Sequence, residues 1–245
     1  MEKQPMKPWK KILIAVIVIL VVLVALVARR AIILSNLDKK ASEYEDKQNI
    51  YIKTTIKKSK MSSQMERYIY NDIDKIVVEG NTANGSAKLT QIVYPTMRKF
   101  YTEKDDKKEM SVYEENAPVR GTHIENNTDV VASYSVIPNY AYAMNTTMRI
   151  IESILNNVKI EVIDGTQYYV ISGLYNTNYM YSENTKGIKV YINKETGLTS
   201  KVVEKVEEDG QLVENVTTYE YSFDTVTEED VAEPDGSQYE LKTNN

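Results

Sequence analysis

Residues 187–203, GIKVYINKETGLTSKVV, decide the fold class of this 245-residue chain. Apolar side chains alternate with other residues at positions 188–192, which is the period of a β-strand with one buried face. A five-residue turn that ends on Gly197 follows, and a second β-rich run occupies residues 198–206. The stretch therefore predicts a hairpin of two antiparallel strands.

The same pattern continues on both sides of this hairpin. Residues 159–163 and 167–172 flank Asp164-Gly165, a dipeptide suited to the positive φ angles of a tight turn. Asp209-Gly210 joins the second strand of the first hairpin to a long run at residues 211–223. Because local turns join these strands, the C-terminal third is predicted to be an antiparallel sheet with sequential pairing.

Further strands are predicted between residues 49 and 136, where the chain is rich in β-branched residues and Tyr. Turn signals occur at residues 79–81, 84–85 and 119–121. The predicted strands occupy residues 50–56, 65–70, 76–79, 89–94, 98–102, 109–113 and 130–136. These short runs predict a meandering antiparallel sheet.

A helical stripe interrupts the strands after Pro138. Apolar residues recur there at helical spacing as far as a stop signal at Asn156-Asn157. The stripe consists of Tyr140, Met144, Met148, Ile151 and Leu155. One amphipathic helix is therefore predicted within an otherwise β-rich domain.

The N-terminal region contains 17 consecutive apolar residues, residues 12–28, without charge, Pro or Gly. As a helix this run would be about 26 Å long, close to the hydrocarbon core of about 30 Å. It predicts a transmembrane anchor at residues 12–28 that follows a short basic tail, residues 1–11. Basic and aromatic side chains suited to the membrane interface flank it: Trp9, Lys10, Lys11, Arg29 and Arg30.

The two alternatives to an uncleaved anchor are a cleaved signal peptide and a buried core helix. A cleaved signal peptide has an apolar core of about 7–15 residues and then an Ala-x-Ala-like site, whereas this run is longer and lacks that site. A buried core helix is normally polar on one face, whereas this run is apolar all round. The basic tail and the acidic domain favour a cytoplasmic N-terminus and an extracytoplasmic C-terminal domain at the cell membrane.

Helical spacing continues beyond the anchor. Ile33, Leu37, Ala41 and Tyr44 recur at intervals of four, four and three residues, which predicts a juxtamembrane helix within residues 29–48. This helix would either form a stalk or lay its apolar stripe on the following sheet. Periodicity alone leaves both uses open.

Composition and charge exclude several classes of protein. With 42% hydrophobic and 27% charged residues the chain is ordinary globular material. Residues 1–30 carry six basic groups and one acidic group, whereas the remainder carries 24 basic and 34 acidic groups. An acidic body repels phosphate backbones, so no nucleic-acid partner is predicted. The absence of Cys excludes disulfides, thiolate chemistry and a thioether-linked lipid anchor.

Motifs for catalysis and metal binding are absent from the sequence. It contains no Gly-x-Ser-x-Gly, no Gly-rich phosphate loop, and no His-Glu-x-x-His or EF-hand spacing. His123 is the only histidine, and an enzyme would require it to lie in a cleft beside acids. Paired acids lie beside turns, where solvation explains them. The chain is therefore predicted not to be an enzyme and to bind no cofactor or metal.

Residues 187–203, with 208–212 and 219–223, resemble the C-terminal hairpins of the LolA-like lipoprotein-carrier superfamily. The order of elements from Ala31 onward is also similar. The resemblance implies an α+β fold in which a curved antiparallel sheet, a half-barrel, has one or two helices on its concave face. Such a fold holds an acyl chain or an apolar partner. Firmicute members of the superfamily include membrane-anchored envelope proteins, some linked to sporulation.

The chain departs from the lipoprotein carriers in two respects. It lacks their anchoring Cys, for which residues 12–28 would substitute, and it lacks a recognisable counterpart of the Arg that gates their cavity. A tethered protein cannot diffuse between membranes, so lipoprotein shuttling is not expected. The residue patterns predict an extracytoplasmic β-rich domain, residues 49–241, followed by a loose tail, residues 242–245.

The predicted function is therefore that of a single-pass envelope protein whose outer domain binds a lipid, an acyl chain or an apolar protein partner. The cavity would be lined by the helical stripe: Tyr140, Met144, Met148, Ile151 and Leu155. The alternative is a non-enzymatic structural or interaction protein of the envelope or spore with a filled core. A continuous apolar cavity of about 300 Å³ or more beneath the stripe would favour the first function.

Overall fold

The computed structural model describes residues 8–44, 47–59, 61–82, 85–114, 154, 156–173 and 184–242. These residues form one long α-helix, one short 3-10 helix and a single sheet of 12 strands. The prediction of an N-terminal helix followed by a large curved antiparallel sheet is confirmed.

The helices and strands follow one another along the chain with short connections. The helix α1 spans Pro8–Ser42, and the 3-10 helix spans Gly236–Gln238. The strands are β1 (Asn49–Lys58), β2 (Met61–Tyr70), β3 (Ile73–Thr82), β4 (Gly85–Tyr94), β5 (Met97–Lys104), β6 (Lys107–Glu114), β7 (Asn157–Ile163), β8 (Thr166–Gly173), β9 (Thr185–Asn193), β10 (Thr199–Glu208), β11 (Gln211–Phe223) and β12 (Glu240–Leu241).

The strand order is β12-β6-β5-β4-β3-β2-β1-β11-β10-β9-β8-β7. Sequential antiparallel pairing of β7 to β11 confirms the prediction for the C-terminal third. Two pairings are not sequential. The antiparallel pairing of β1 with β11 joins the two halves of the sheet, from Ile50 opposite Phe223 to Lys57 opposite Val216. The short β12 pairs with β6 in parallel.

The turn predicted at residues 79–81 is wrong. Gly80 lies inside β3, where it pairs with Ser63 on one side and Ala87 on the other. Glycine can adopt the extended conformation of a strand as well as a turn. Gly80 is extended because it pairs with a strand on each side. The predicted strand at residues 130–136 and the predicted turn at residues 119–121 lie outside the described residues.

The register divides the sheet into two faces, because successive side chains of a strand point to opposite sides. The helix face carries Ile52 and Val190, and α1 packs on it. The tail face carries Ile92 and Tyr101, and the segment after β11 packs on it. α1 thus covers the helix face of β1, β2 and β8 to β10, whereas the segment after β11 contacts the tail face of β3 to β5.

The last third of α1 is part of the hydrophobic core. Leu34 and Leu37 are 1% and 2% exposed and pack against β8, β9 and β10. Ala41 is fully buried against β1, β2 and the β9–β10 turn, and Tyr44 packs on the same cluster. The apolar stripe therefore lies on the sheet, and the stalk alternative is wrong for these residues.

Gly197 allows the β9–β10 turn to approach α1 closely. Its φ is +77°, and a Cβ at this position would lie 2.5 Å from the carbonyl oxygen of Leu37. We expect Gly197→Ala to lower the free energy of unfolding by about 2–4 kcal/mol, because backbone strain and overpacking add. Urea titration followed by circular dichroism measures this loss.

The matched control for that substitution is Gly210→Ala in the β10–β11 turn. Gly210 has a similar φ of +76°, but no atom lies within 4 Å of the position that a Cβ would take there. Only the conformational cost remains, so a loss of about 1 kcal/mol is expected. Equal losses for the two variants would contradict close packing of the β9–β10 turn on α1.

The segment after β11 covers the tail face of the N-terminal half of the sheet. Asn49 holds its beginning, because its Nδ2 donates to the Val226 carbonyl over 2.6 Å and its Oδ1 accepts from the Val226 amide over 2.7 Å. Val226 and Val231 are buried residues of this segment itself. This segment therefore packs as part of the domain rather than as a loose extension.

Glu233 lies at the centre of a polar cluster on the tail face. The Lys99 ammonium donates to both carboxylate oxygens over 2.7 and 2.8 Å, and the hydroxyls of Tyr94 and Tyr101 donate over 2.8 and 2.7 Å. Burial acts to raise the pKa of Glu233, but these three donors outweigh it and lower that pKa below its ordinary value. The same hydrogen bonds add to burial in raising the pKa of Tyr94 and Tyr101.

Glu233→Gln is expected to lower the free energy of unfolding by about 1 kcal/mol near pH 7, because charge-assisted hydrogen bonds are lost at a half-buried site. A lowered pKa in the folded state stabilises the fold above the ordinary pKa, and this contribution is lost as the pH falls through the folded value. Urea titrations from pH 7 to pH 3 should therefore show the difference between the two proteins shrink as the pH falls below the ordinary pKa of a glutamate, about 4.3. A constant difference would contradict the role of the charged carboxylate.

Candidate functional site

The helical stripe predicted to line a cavity falls in a part of the chain that the structure does not describe. Tyr140, Met144, Met148, Ile151 and Leu155 lie outside the described residues, and so does His123. The strands that flank this part of the chain, β6 and β7, stand near opposite ends of the strand order. The candidate site is therefore built from the sheet and from α1.

The helix face of β2 to β6 carries apolar side chains that belong to neither of the two core clusters that contain α1. Register places Met65, Val78 and Leu89 side by side across β2, β3 and β4. Leu89 is 37% exposed and Tyr113 is 42% exposed. We define the open apolar face by six side chains: Met65, Ile76, Val78, Leu89, Phe100 and Tyr113.

The two aromatic rings of the open apolar face contact each other. Phe100 and Tyr113 have centroids 5.4 Å apart and meet edge to face. Such a geometry is favourable for aromatic pairs and holds both rings in place. The open apolar face thus combines aliphatic side chains on β2 to β4 with an aromatic pair on β5 and β6.

A buried ion pair borders the open apolar face. The Arg67 guanidinium contacts the Asp74 carboxylate through Nη2 at 2.6 Å and through Nε at 3.0 and 3.2 Å. Asp74 is 5% exposed, and Val93 separates it from Arg98 on the same face. The fork of hydrogen bonds offsets the cost of burying both charges.

Clefts in the described part of the chain include three whose linings contain charged side chains. One, of about 350 Å³, lies among charged residues of the β3–β4 and β5–β6 hairpins. A second has about 340 Å³ and lies between α1 and β8. The third, of about 450 Å³, adjoins it and shares Lys40 and Lys194.

The predicted membrane-interface residues lie at both ends of an exposed apolar helical segment. The side chain of Trp9 is 57% exposed, and the ammonium of Lys10 lies 5.7 Å from its ring centroid. At the other end, Nη2 of Arg30 donates to Oδ1 of Asn157 over 3.4 Å. α1 is long and apolar enough to cross a membrane, with a mean hydropathy of 3.3 over an unburied 18-residue window.

Sequence patterns did not reveal which charged residues meet beside the open apolar face and in the cleft between α1 and β8. Arg67 and Asp74 are seven positions apart, and only the β2–β3 register makes them neighbours. Lys40 and Lys194 meet because the β9–β10 turn packs on α1. Among the described residues, no group of three or more His, Cys, Asp or Glu side chains forms a metal site.

No family model matches the chain, and no curated protein sequence matches it. Among solved structures, it is similar to an uncharacterized conserved protein from Thermus thermophilus, with 8% identity, a TM-score of 0.44, and coverage of 85% of this chain and 98% of the other. It is also similar to MucB in two complexes with MucA, one of them from Pseudomonas aeruginosa.

The two MucB comparisons have 12% and 13% identity and TM-scores of 0.34 and 0.36. They cover 82% and 86% of this chain, which spans 60% and 63% of the MucB chains. Similarity at this level transfers no function or partner to the present chain.

Proposed function

We propose that the chain is a single-pass protein of a bacterial cell membrane, with a cytoplasmic N-terminus and an extracytoplasmic domain that binds an acyl chain or another apolar ligand without catalysis. The observation that carries this proposal is the continuity of α1. Its first part exposes apolar side chains such as Val24, which is 67% exposed, and its last part contains the fully buried Ala41. One continuous helix thus connects an exposed apolar surface to the core of the sheet.

The exposed apolar segment of α1 supports the anchoring part of the proposal. A helix with apolar side chains on every side is normally covered by a protein core or by a membrane, because exposing apolar surface to water is unfavourable. The 35 residues of α1 span about 52 Å, enough for a hydrocarbon core of about 30 Å and for the packed segment beyond it. The positive tail before this helix favours a cytoplasmic N-terminus.

The open apolar face supports the ligand-binding part of the proposal. Met65, Val78 and Leu89 form a row three strands wide, or about 10 Å from the first strand to the third. An acyl chain laid along such a row removes apolar area from water, and each buried methylene contributes about 0.8 kcal/mol. The adjacent Arg67–Asp74 pair supplies a polar border for an amphipathic ligand.

Lipid retention by the full chain tests the proposal. We would purify the chain in a nonionic detergent and identify retained lipids by native mass spectrometry. Leu89→Glu places a charge on the open apolar face and should reduce retention, because a carboxylate there opposes an apolar ligand. The control is Leu212→Glu, since Leu212 is 66% exposed and lies on β11, away from this face.

Equal retention by the two variants would contradict binding at the open apolar face. Retention of a protein partner without lipid would favour the interaction-protein alternative. Release of the chain from membranes by alkaline carbonate would contradict the proposed anchor independently of either result.

A further inference from the structure

The cleft between α1 and β8, which we call the juxtamembrane cleft because α1 is the proposed anchor, combines an apolar wall with basic side chains. Ile33 and Leu37 of α1 and Tyr169 of β8 supply the wall. Lys39, Lys40 and Lys194 supply three positive charges, against one acidic lining residue, Glu43. This local excess of positive charge is unusual in a chain whose net charge is −5, and it favours an anionic ligand.

The described contacts hold two of these lysines in place. Nζ of Lys40 donates to the carbonyl oxygen of Lys194 over 2.8 Å, and Nζ of Lys194 donates to Oε1 of Gln167 over 2.8 Å. An ammonium has three N–H donors, so each of these bonds occupies one of them. Within the described part of the chain, neither lysine forms an ion pair that neutralises it.

The cleft lies on the part of α1 that follows the proposed span. A helix that enters the hydrocarbon core at Ile12 leaves it near Ala28, where the apolar run ends. Ile33 of the cleft wall follows Ala28 by five residues, about 8 Å along the axis, and Lys39 lies about 9 Å further along. Its side chain tilts back toward the N-terminus of the helix and thus toward the headgroups, which occupy about 5–8 Å of each leaflet.

The apolar wall continues onto the edge strand β7. Ile160 pairs with Tyr169 and Val162 pairs with Gln167, so both side chains lie on the helix face beside the cleft. They are 47% and 64% exposed. Apolar and cationic groups therefore stand together beside the end of the proposed span, as an amphipathic anion requires.

We propose that the juxtamembrane cleft binds the phosphate-bearing headgroup of an anionic phospholipid from the leaflet next to the sheet domain. The inference rests on the proposed anchoring of α1 but not on ligand binding at the open apolar face. The lysines would contact the phosphate, and the wall formed by Ile33, Leu37 and Tyr169 would contact the glycerol and the first methylenes. Such a contact would hold the domain in one orientation on the membrane.

A fluorescence titration of the full chain tests this site. The chain contains no Cys, so Asn36→Cys in the cleft lining introduces one attachment point for an environment-sensitive dye. In nonionic detergent, dihexanoylphosphatidylglycerol should bind at least tenfold more tightly than dihexanoylphosphatidylcholine. Lys40→Gln with Lys194→Gln should weaken the first lipid about tenfold or more, since each lysine near an anionic lipid surface contributes substantially.

Two further variants separate charge from folding. Lys39→Gln alters an exposed lysine and should by itself weaken the anionic lipid several-fold. Lys88→Gln with Lys205→Gln removes two exposed lysines from distant strands and should leave both affinities unchanged. Equal affinities for the two lipids, or equal effects of the cleft and control variants, would overturn the proposal.

Two more arms identify the source of the phosphate and separate the proposals. Inorganic phosphate at the same concentration should displace no lipid, because it cannot use the apolar wall, and displacement would overturn the lipid assignment. Alkaline carbonate extraction reports on the anchor alone. A chain that stays in membranes but shows no preference for the anionic lipid would refute this inference and leave the anchor intact.

Discussion

Leu34→Ala is expected to lower the free energy of unfolding of the sheet domain by about 2–5 kcal/mol. Leu34 is 1% exposed and belongs to the cluster formed with Ile171, Val190 and Val202. Truncation removes buried apolar atoms and leaves a cavity that α1 and the sheet cannot both fill. Urea titration of the full chain in nonionic detergent, followed by circular dichroism and tyrosine fluorescence, measures the loss.

Leu23→Ala is the matched control, because it makes the same change in the same helix at a side chain that is 52% exposed. Its effect on the unfolding of the sheet should be below about 0.5 kcal/mol. If Leu34→Ala had no larger effect than Leu23→Ala, α1 would act as a stalk, and the packing of its last third on the sheet would be refuted.

Asp74→Ala is expected to cost about 3–5 kcal/mol, because it removes the carboxylate from an ion pair that the fold largely buries. The side chains of Arg67 and Asp74 are only 17% and 6% exposed, and their closest atoms are 2.6 Å apart. The same urea titration measures this loss.

Two comparisons show whether burial of the charge is the cause. Lys88→Ala breaks the exposed pair with Glu79, 3.0 Å apart, and should cost less than about 1 kcal/mol. Arg67→Met combined with Asp74→Leu removes both charges and should recover most of the stability lost in Asp74→Ala. A double variant as unstable as Asp74→Ala would instead assign the loss to packing.

Local backbone chemistry made the hairpins predictable. Asp164-Gly165 has φ values of +50° and +81°, and Asp209-Gly210 has +51° and +76°. Both dipeptides accept these angles at little cost, so the turn positions follow from the residues themselves. Gly80 shows the limit of this reasoning, because the same permissive residue is equally compatible with the extended strand that its neighbours impose.

Long-range pairing was not predictable from local patterns. β1 and β11 are separated by most of the domain, and no short motif marks Ile50 as the partner of Phe223. The candidate site depends on the same kind of contact, since the cleft needs Lys40 beside Lys194. Each of these side chains alone is an ordinary surface lysine.

The chain order of residue types by itself determined that an apolar helix precedes an antiparallel sheet, because hydrophobic period and turn angles are properties of neighbouring residues. Only the tertiary structure decided which face α1 buries, which strands join the two halves, and which charges become neighbours. These choices depend on burial and register summed over distant segments, and a shift of one residue in a strand moves every side chain to the opposite face.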